Sequence, residues 1–286
     1  MTALHELGAG AGPSASGEPV ISDLAGVLSP IDTAAFVERW FGRAPIVLGG
    51  GDPARFDHLF SLAQVEQLVL RHHRDRAGAD AAGRPRDRIE LSDSFGTTIR
   101  PDLFHRSLEL PGGALAQLDV EWVAKAIGGG ARVTVHAVDE LDEVLARLTT
   151  TAAEGLGRAA SMQAVANWAA ATAAAAVSAD HLLVLQVLGT REWSVGGAIF
   201  PLGPGQVLYM PAGSTVAFDD RETPALHLAI RLAAHPPNLL AGQLLAKLAS
   251  LEVFREDLPL SSTPAAGAEQ AHRLRTTLEA LLSALT

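Results

Sequence analysis

The sequence predicts an α+β protein with a mainly β core: a barrel of short antiparallel strands wrapped by helices. Three observations lead there. Between Met162 and Leu232 the chain breaks into apolar runs of strand length, separated by Gly/Pro turns such as Pro201–Gly205 and Pro211–Gly213. Before that stretch apolar residues recur at helical spacing, and after it the pattern is helical again over Asn238–Leu251 and Ala268–Leu285. With 286 residues, 48% of them hydrophobic, the chain can bury a sizeable core in one or two domains.

Taken in order, residues 1–18 are Gly/Ser/Ala-rich and read as a disordered tail. Residues 19–235 form the core domain and 236–286 a helical region. Asp32 can cap a helix carrying Phe36, Trp40 and Phe41, Gly42 ends it, and Ala44–Leu48 follows as a buried strand. Ser61 and Gln64 fit a capping box that opens a helix through Val65, Leu68 and Leu70. Residues 74–88 are charged and contain glycine, which reads as a solvated loop.

Leu118–Ile127 has the pattern of a short amphipathic helix, and Gly128–Gly130 lead into a strand over Ala131–Val138. A phosphate cradle needs a helix after its glycines, so this run is not one. Leu141, Val144, Leu145 and Leu148 place a helix over Asp139–Leu156. The strand runs are Met162–Trp168, His181–Leu188, Glu192–Val195, Gly205–Met210, Ser214–Phe218 and Leu226–Leu232, with Asp219 and Asp220 at a hairpin turn. Ala169–Ala176 favours helix by propensity but sits between strands, and is read as a loop or ragged strand.

Several functions are disfavoured at once. The chain has no cysteine, which removes disulfides, thiolate metal sites and a cysteine nucleophile. A net charge of -10 gives no footprint for nucleic acid and no polybasic membrane anchor. No secretory signal and no apolar run of membrane-spanning length is visible, so the expectation is a cytoplasmic protein with neither nucleic-acid nor membrane partners.

Two segments carry a resemblance. Asp180–Val195 (DHLLVLQVLGTREWSV) and Gly203–Leu232 (GPGQVLYMPAGSTVAFDDRETPALHLAIRL) resemble the double-stranded β-helix of JmjC-type cupins, above all the bacterial group related to ribosomal-protein hydroxylases. In that group they read HxDxHDVFVLQxxGxKxW and GDVLYxPxGxxH, the latter followed by a Ser-x-His-Leu-Thr strand. FVERWFGRAPIVL, FDHLFSLAQVEQLV and ARVTVHAVDEL match the preceding helices and strands in order, so the resemblance spans about residues 30–250. It implies a cupin (jelly-roll) barrel with N-terminal helices, and in the family Fe(II) and 2-oxoglutarate as cofactors.

Such an oxygenase holds iron with two histidines and one carboxylate. Aligned on Val184-Leu185-Gln186, the family's first His falls on Ala176, its carboxylate on Ser178 and its last His on Val216. None of these side chains can replace an imidazole or carboxylate, so no cofactor is expected. Asp180, His181, His227 and His136 are the fallback ligands. Asp180 and His181 are neighbours on a strand and point to opposite faces. His227 matches the family's Ser-x-His-Leu-Thr histidine, which is not a ligand there. Arg191 falls where the family grips the far carboxylate of 2-oxoglutarate; a salt bridge with an acidic neighbour and an outward-facing arginine are the alternatives.

The resemblance and its departures leave three functions open. The first is a non-catalytic pseudo-oxygenase, a binding or regulatory module with a small molecule or peptide in the barrel. The second is a metal-independent enzyme using the emptied pocket for cyclisation or isomerisation. The third is a 2-oxoglutarate hydroxylase with relocated ligands. In the resembled group the helices after the barrel pair two subunits. Leu239, Leu240, Leu244, Leu245, Leu248 and Leu251 cover more than one helix face, which predicts a homodimer. Some members of that group add a winged-helix domain beyond such helices; since this chain stops at Thr286, none is expected.

Overall fold

The helices of the N-terminal half begin where a side chain can take up a free backbone amide. In the computed structural model, which describes residues 21–71, 76–79, 85–94, 96–100, 103–110, 113–234 and positions 272, 275, 276 and 279, Asp23 accepts from the Gly26 amide to cap α1 (Leu24–Leu28). Asp32 caps α2 (Thr33–Arg39) through Ala35. After β1 (Ile46–Gly49), the Ser61/Gln64 box forms as predicted: the Ser61 amide donates to Gln64 Oε1 at 2.8 Å and the Gln64 amide to Ser61 Oγ at 3.3 Å. It opens α3 (Leu62–Arg71).

The next stretch departs from expectation. Residues 74–88 contain two paired strands, β2 (Arg76–Ala79) and β3 (Pro85–Asp87). A ribbon is held by main-chain ladders, so it can form without the apolar alternation that signals a strand. Then come β4 (Ile89–Ser92), β5 (His105–Leu110) and β6 (Gly113–Leu118). Leu118 ends a strand rather than opening a helix; Asp119 is the cap, and α4 runs Val120–Gly128. After β7 (Arg132–His136) a 3₁₀ turn covers Val138–Glu140, so α5 (Glu143–Leu156) starts later than predicted, capped by Asp142.

Eight strands follow: β8 (Ala160–Asn167), β9 (Thr172–Val177), β10 (His181–Leu188), β11 (Arg191–Val195), β12 (Ala198–Leu202), β13 (Gln206–Met210), β14 (Thr215–Asp220) and β15 (Ala225–Leu232). The alanine run is thus the strand β9, its pairing with β14 shifted between Val216 and Phe218. Tertiary pairing overrides its helix propensity. Asp219 and Asp220 end β14 and do not form the predicted turn, which falls at Arg221–Pro224. β12 was not anticipated.

The ladders nest: β11 pairs with β12, β10 with β13, β9 with β14 and β8 with β15, all antiparallel. Further pairing gives a seven-stranded sheet, β1-β13-β10-β15-β8-β7-β4, and a four-stranded sheet, β12-β11-β14-β9. This is the double-stranded β-helix expected of the core.

Alternation along the strands makes two apolar layers. Leu183, Leu185, Leu228 and Ile230 face the helices with Phe36, Leu145 and Leu148. Val184, Leu208, Met210 and Ala229 face Trp193, Val195 and Phe218 of the smaller sheet. The second layer is the barrel interior. The chain divides between Ala234 and His235 into two units. The helices predicted for the second unit and the tail predicted for residues 1–18 lie outside the described residues, apart from four C-terminal positions. Among the described residues no helix is long and apolar enough to cross a membrane.

Candidate functional site

β11 and β14 supply the inner wall of the smaller sheet. Period-two alternation points Arg191, Trp193 and Val195 inward on β11, opposite Asp220, Phe218 and Val216 on β14. Arg191 is completely buried, and each of its three nitrogens has a partner. Nε donates to Asp220 Oδ1 at 2.6 Å, Nη2 to Asn167 Oδ1 at 2.5 Å and Nη1 to His227 Nδ1. Accepting at Nδ1 leaves the His227 proton on Nε2. Burial lowers the Arg191 pKa to about 10, with Asp220 acting the other way. Of the alternatives open from sequence, the one in place is a buried ion pair, with its acid on the neighbouring strand.

A second arginine reaches this wall from the larger sheet. On β7, Val133 and Val135 face the helices, while Arg132 and His136 take the other side. The Arg132 guanidinium lies 4.8 Å from the Phe218 ring centre, and that of Arg191 4.7 Å, so one aromatic ring contacts two cations. Burial lowers the Arg132 pKa, opposed by Asp220, Glu90 and Asp93. Beside it His136 Nε2 lies 3.2 Å from Glu90, which also accepts from the Thr98 hydroxyl at 2.9 Å. The hydrogen bond with His136 is the first cause holding the Glu90 carboxyl below its usual range.

Of the three residues that the sequence resemblance aligned with iron ligands, two pair across strands. Val216 and Ala176 are direct cross-strand partners between β14 and β9. The Ser178 hydroxyl donates to the Asp180 carbonyl at 2.7 Å, and its backbone pairs with Ser214 and Gly213. An alanine, a valine and an engaged hydroxyl do not fit a divalent iron. The fallback residues are dispersed. Asp180 pairs with Arg231 at 2.8 Å. His181 lies on the helix side, where Nδ1 accepts from Tyr209 Oη at 2.9 Å and the Ala212 amide at 3.2 Å, stacked on Phe41. His227 remains with Arg191, and His136 with Glu90. Among the described residues no group of three His, Cys, Asp or Glu side chains could hold a metal ion.

Arg132, Asn167, Phe218 and Asp220 are the site residues that sequence reasoning missed. The alternation of RVTVH could have placed Arg132 and His136 on one face. Likewise, extending the V-x-F-x-D period would have carried Asp220 into the barrel. What the arrangement offers chemically is two arginines, Arg191 fully and Arg132 partly buried, meeting at one aromatic ring.

No protein-family model matches the sequence, and no curated protein matches it. Solved structures do. A structure of YcfD, a ribosomal oxygenase from Escherichia coli, in complex with cobalt and succinic acid is 16% identical over 87% of this chain and 67% of that chain, at TM-score 0.51. A second structure of E. coli YcfD gives the same values. An RmlC-like cupin from Shewanella frigidimarina aligns over 28% of this chain and 70% of its own, at 14% identity and TM-score 0.25. At such identities the likeness is one of architecture, and with the nested ladders described above it establishes that this chain has the JmjC-type cupin fold.

Proposed function

We propose that this protein is a pseudo-oxygenase: a JmjC-type cupin that does not hold catalytic iron and uses its barrel as a non-catalytic binding or regulatory module. The observation that carries this is the pairing of Val216 with Ala176 across β14 and β9. Two positions that alignment assigns to iron ligands are neighbours in space, so their loss is a property of one site. Ser178, the third, spends its hydroxyl on a backbone carbonyl. The Arg191 guanidinium, the family's carboxylate grip, is committed to Asp220, Asn167 and His227. An incoming dicarboxylate would have to displace a buried ion pair to use it.

Iron analysis of purified protein after anaerobic incubation with Fe(II) tests the reading. The expected result is metal far below one per chain and no 2-oxoglutarate turnover. Iron near unit stoichiometry would sink it. We further propose, from the leucine pattern over residues 239–251, that the protein is a cytoplasmic homodimer. Sedimentation as a monomer would refute the dimer.

A further inference from the structure

Arg132, unlike Arg191, is only partly buried as a residue and has no partner along one edge of its guanidinium. Its Nε and Nη2 atoms are buried and hydrogen-bond to nothing. These two nitrogens form one edge of the guanidinium plane, with parallel N–H bonds pointing the same way. That edge is the fork that receives the two oxygens of a carboxylate side-on. Burying it without an acceptor is unfavourable, because its hydration is lost and nothing replaces it. The neighbouring carboxylates, Asp220, Glu90 and Asp93, interact with Arg132 through charge without supplying that acceptor.

The surroundings narrow what could. Arg132 pairs across the sheet with Asn167, whose Nδ2 is a further buried donor without a partner. Trp193 Nε1, on a ring packed 4.8 Å from that of Phe218, is another. Unsatisfied donors therefore outnumber the two unsatisfied acceptors on this face, Asp220 Oδ2 and Gln186 Oε1. The same acidic neighbours disfavour a multiply charged anion, since each added charge is repelled at short range. Phe218, Trp193 and Val216 give the inner wall an apolar surface.

We propose that Arg132 is the grip for a small apolar monocarboxylate, held side-on by Nε and Nη2 against Phe218. This rests on the barrel being a binding module, and it assigns the ligand class and the residue that selects it. The site is distinct from the Arg191 position, which is already satisfied by Asp220.

The test uses the full chain with benzoate as probe, and acetate and inorganic phosphate for comparison. Benzoate should bind saturably by calorimetry, acetate more weakly and phosphate not detectably. Arg132→Lys keeps the charge but loses the fork, and should weaken benzoate by about tenfold or more while leaving the circular dichroism spectrum unchanged. Arg132→Gln should abolish binding; if that variant does not fold, the lysine variant decides. Unchanged affinity in Arg132→Lys, no saturable benzoate binding by the wild type, or phosphate binding as tightly as benzoate would each overturn the proposal. The iron measurement is independent: unit iron would remove the pseudo-oxygenase reading and leave an Arg132-dependent affinity standing.

Discussion

Arg191 and Asp220 show how a single buried pair can commit a cation inside a barrel. Both side chains are shut off from solvent, so removing one partner strands the other charge. Asp220→Ala should cost about 3–5 kcal/mol by denaturant unfolding, far more than an exposed pair such as Arg221 with Glu192 would lose. A change below about 1 kcal/mol would mean that Arg191 is not charged through Asp220. His181 gives a second test at this scale. Burial is the first cause lowering its pKa from 6.5, Arg158 adds to it and Asp180 opposes. The fold therefore favours the neutral ring, whose Nδ1 accepts from Tyr209 and Ala212. Because the folded value lies below the unfolded one, this contribution is complete above 6.5 and is lost as pH falls through the folded value. Stability should decline on acidification below neutral pH, and His181→Asn should flatten that decline; an unchanged pH profile would contradict the assignment.

Among the elements, the turn into β13 is the most constrained by geometry. Gly205 sits at φ +78, and a Cβ there would come within 1.9 Å of the Asp52 carbonyl oxygen. Gly205→Ala should therefore destabilise by more than about 1 kcal/mol, read as a lowered urea midpoint. The β9–β14 pairing invites the converse experiment. Since Ala176 and Val216 face each other, the triple variant A176H/S178D/V216H should gain Co(II) binding near one per chain. Failure of the folded variant to bind would count against that register as the former iron site. Element by element, the sequence was most legible where one physical signal was unopposed. The capping residues Asp32, Ser61 and Gln64, and the strand His181–Leu188, fall where spacing puts them. β2 and β3 were hidden because their ladders use main-chain groups alone, and β9 because alanine's helical preference masked a strand fixed by its neighbour β14.

Across the whole molecule, the β-helix could be read from the sequence because its strands alternate around Gly/Pro turns and keep the order of a known family. The site was legible only in part. Motif alignment marks the positions where a family keeps its ligands, so it pointed to Ala176, Ser178, Val216 and Arg191. It is silent about Arg132 and Asp220, whose charges interact across 88 residues of chain, between β7 and β14. The polar wall should also make the molecule acid-labile as a unit. Glu90, held below its usual range chiefly by His136, adds stability above 4.5 that is lost as pH falls through its folded value.

The nesting of the strands has a consequence in time. Each ladder closes a loop that contains all the ladders inside it, with the Gly196–Gly197 turn between β11 and β12 at the centre. Once that hairpin exists, pairing β10 with β13 closes only a short additional loop, and β9 with β14, then β8 with β15, follow in the same way. Pairing β8 with β15 first would instead close the whole stretch at once. Folding should thus run outward from one end like a zip. Destabilising substitutions at Trp193 should mainly slow folding, and those at Met162 mainly hasten unfolding, in stopped-flow measurements. The reverse pattern would show that the barrel nucleates at its outer strands.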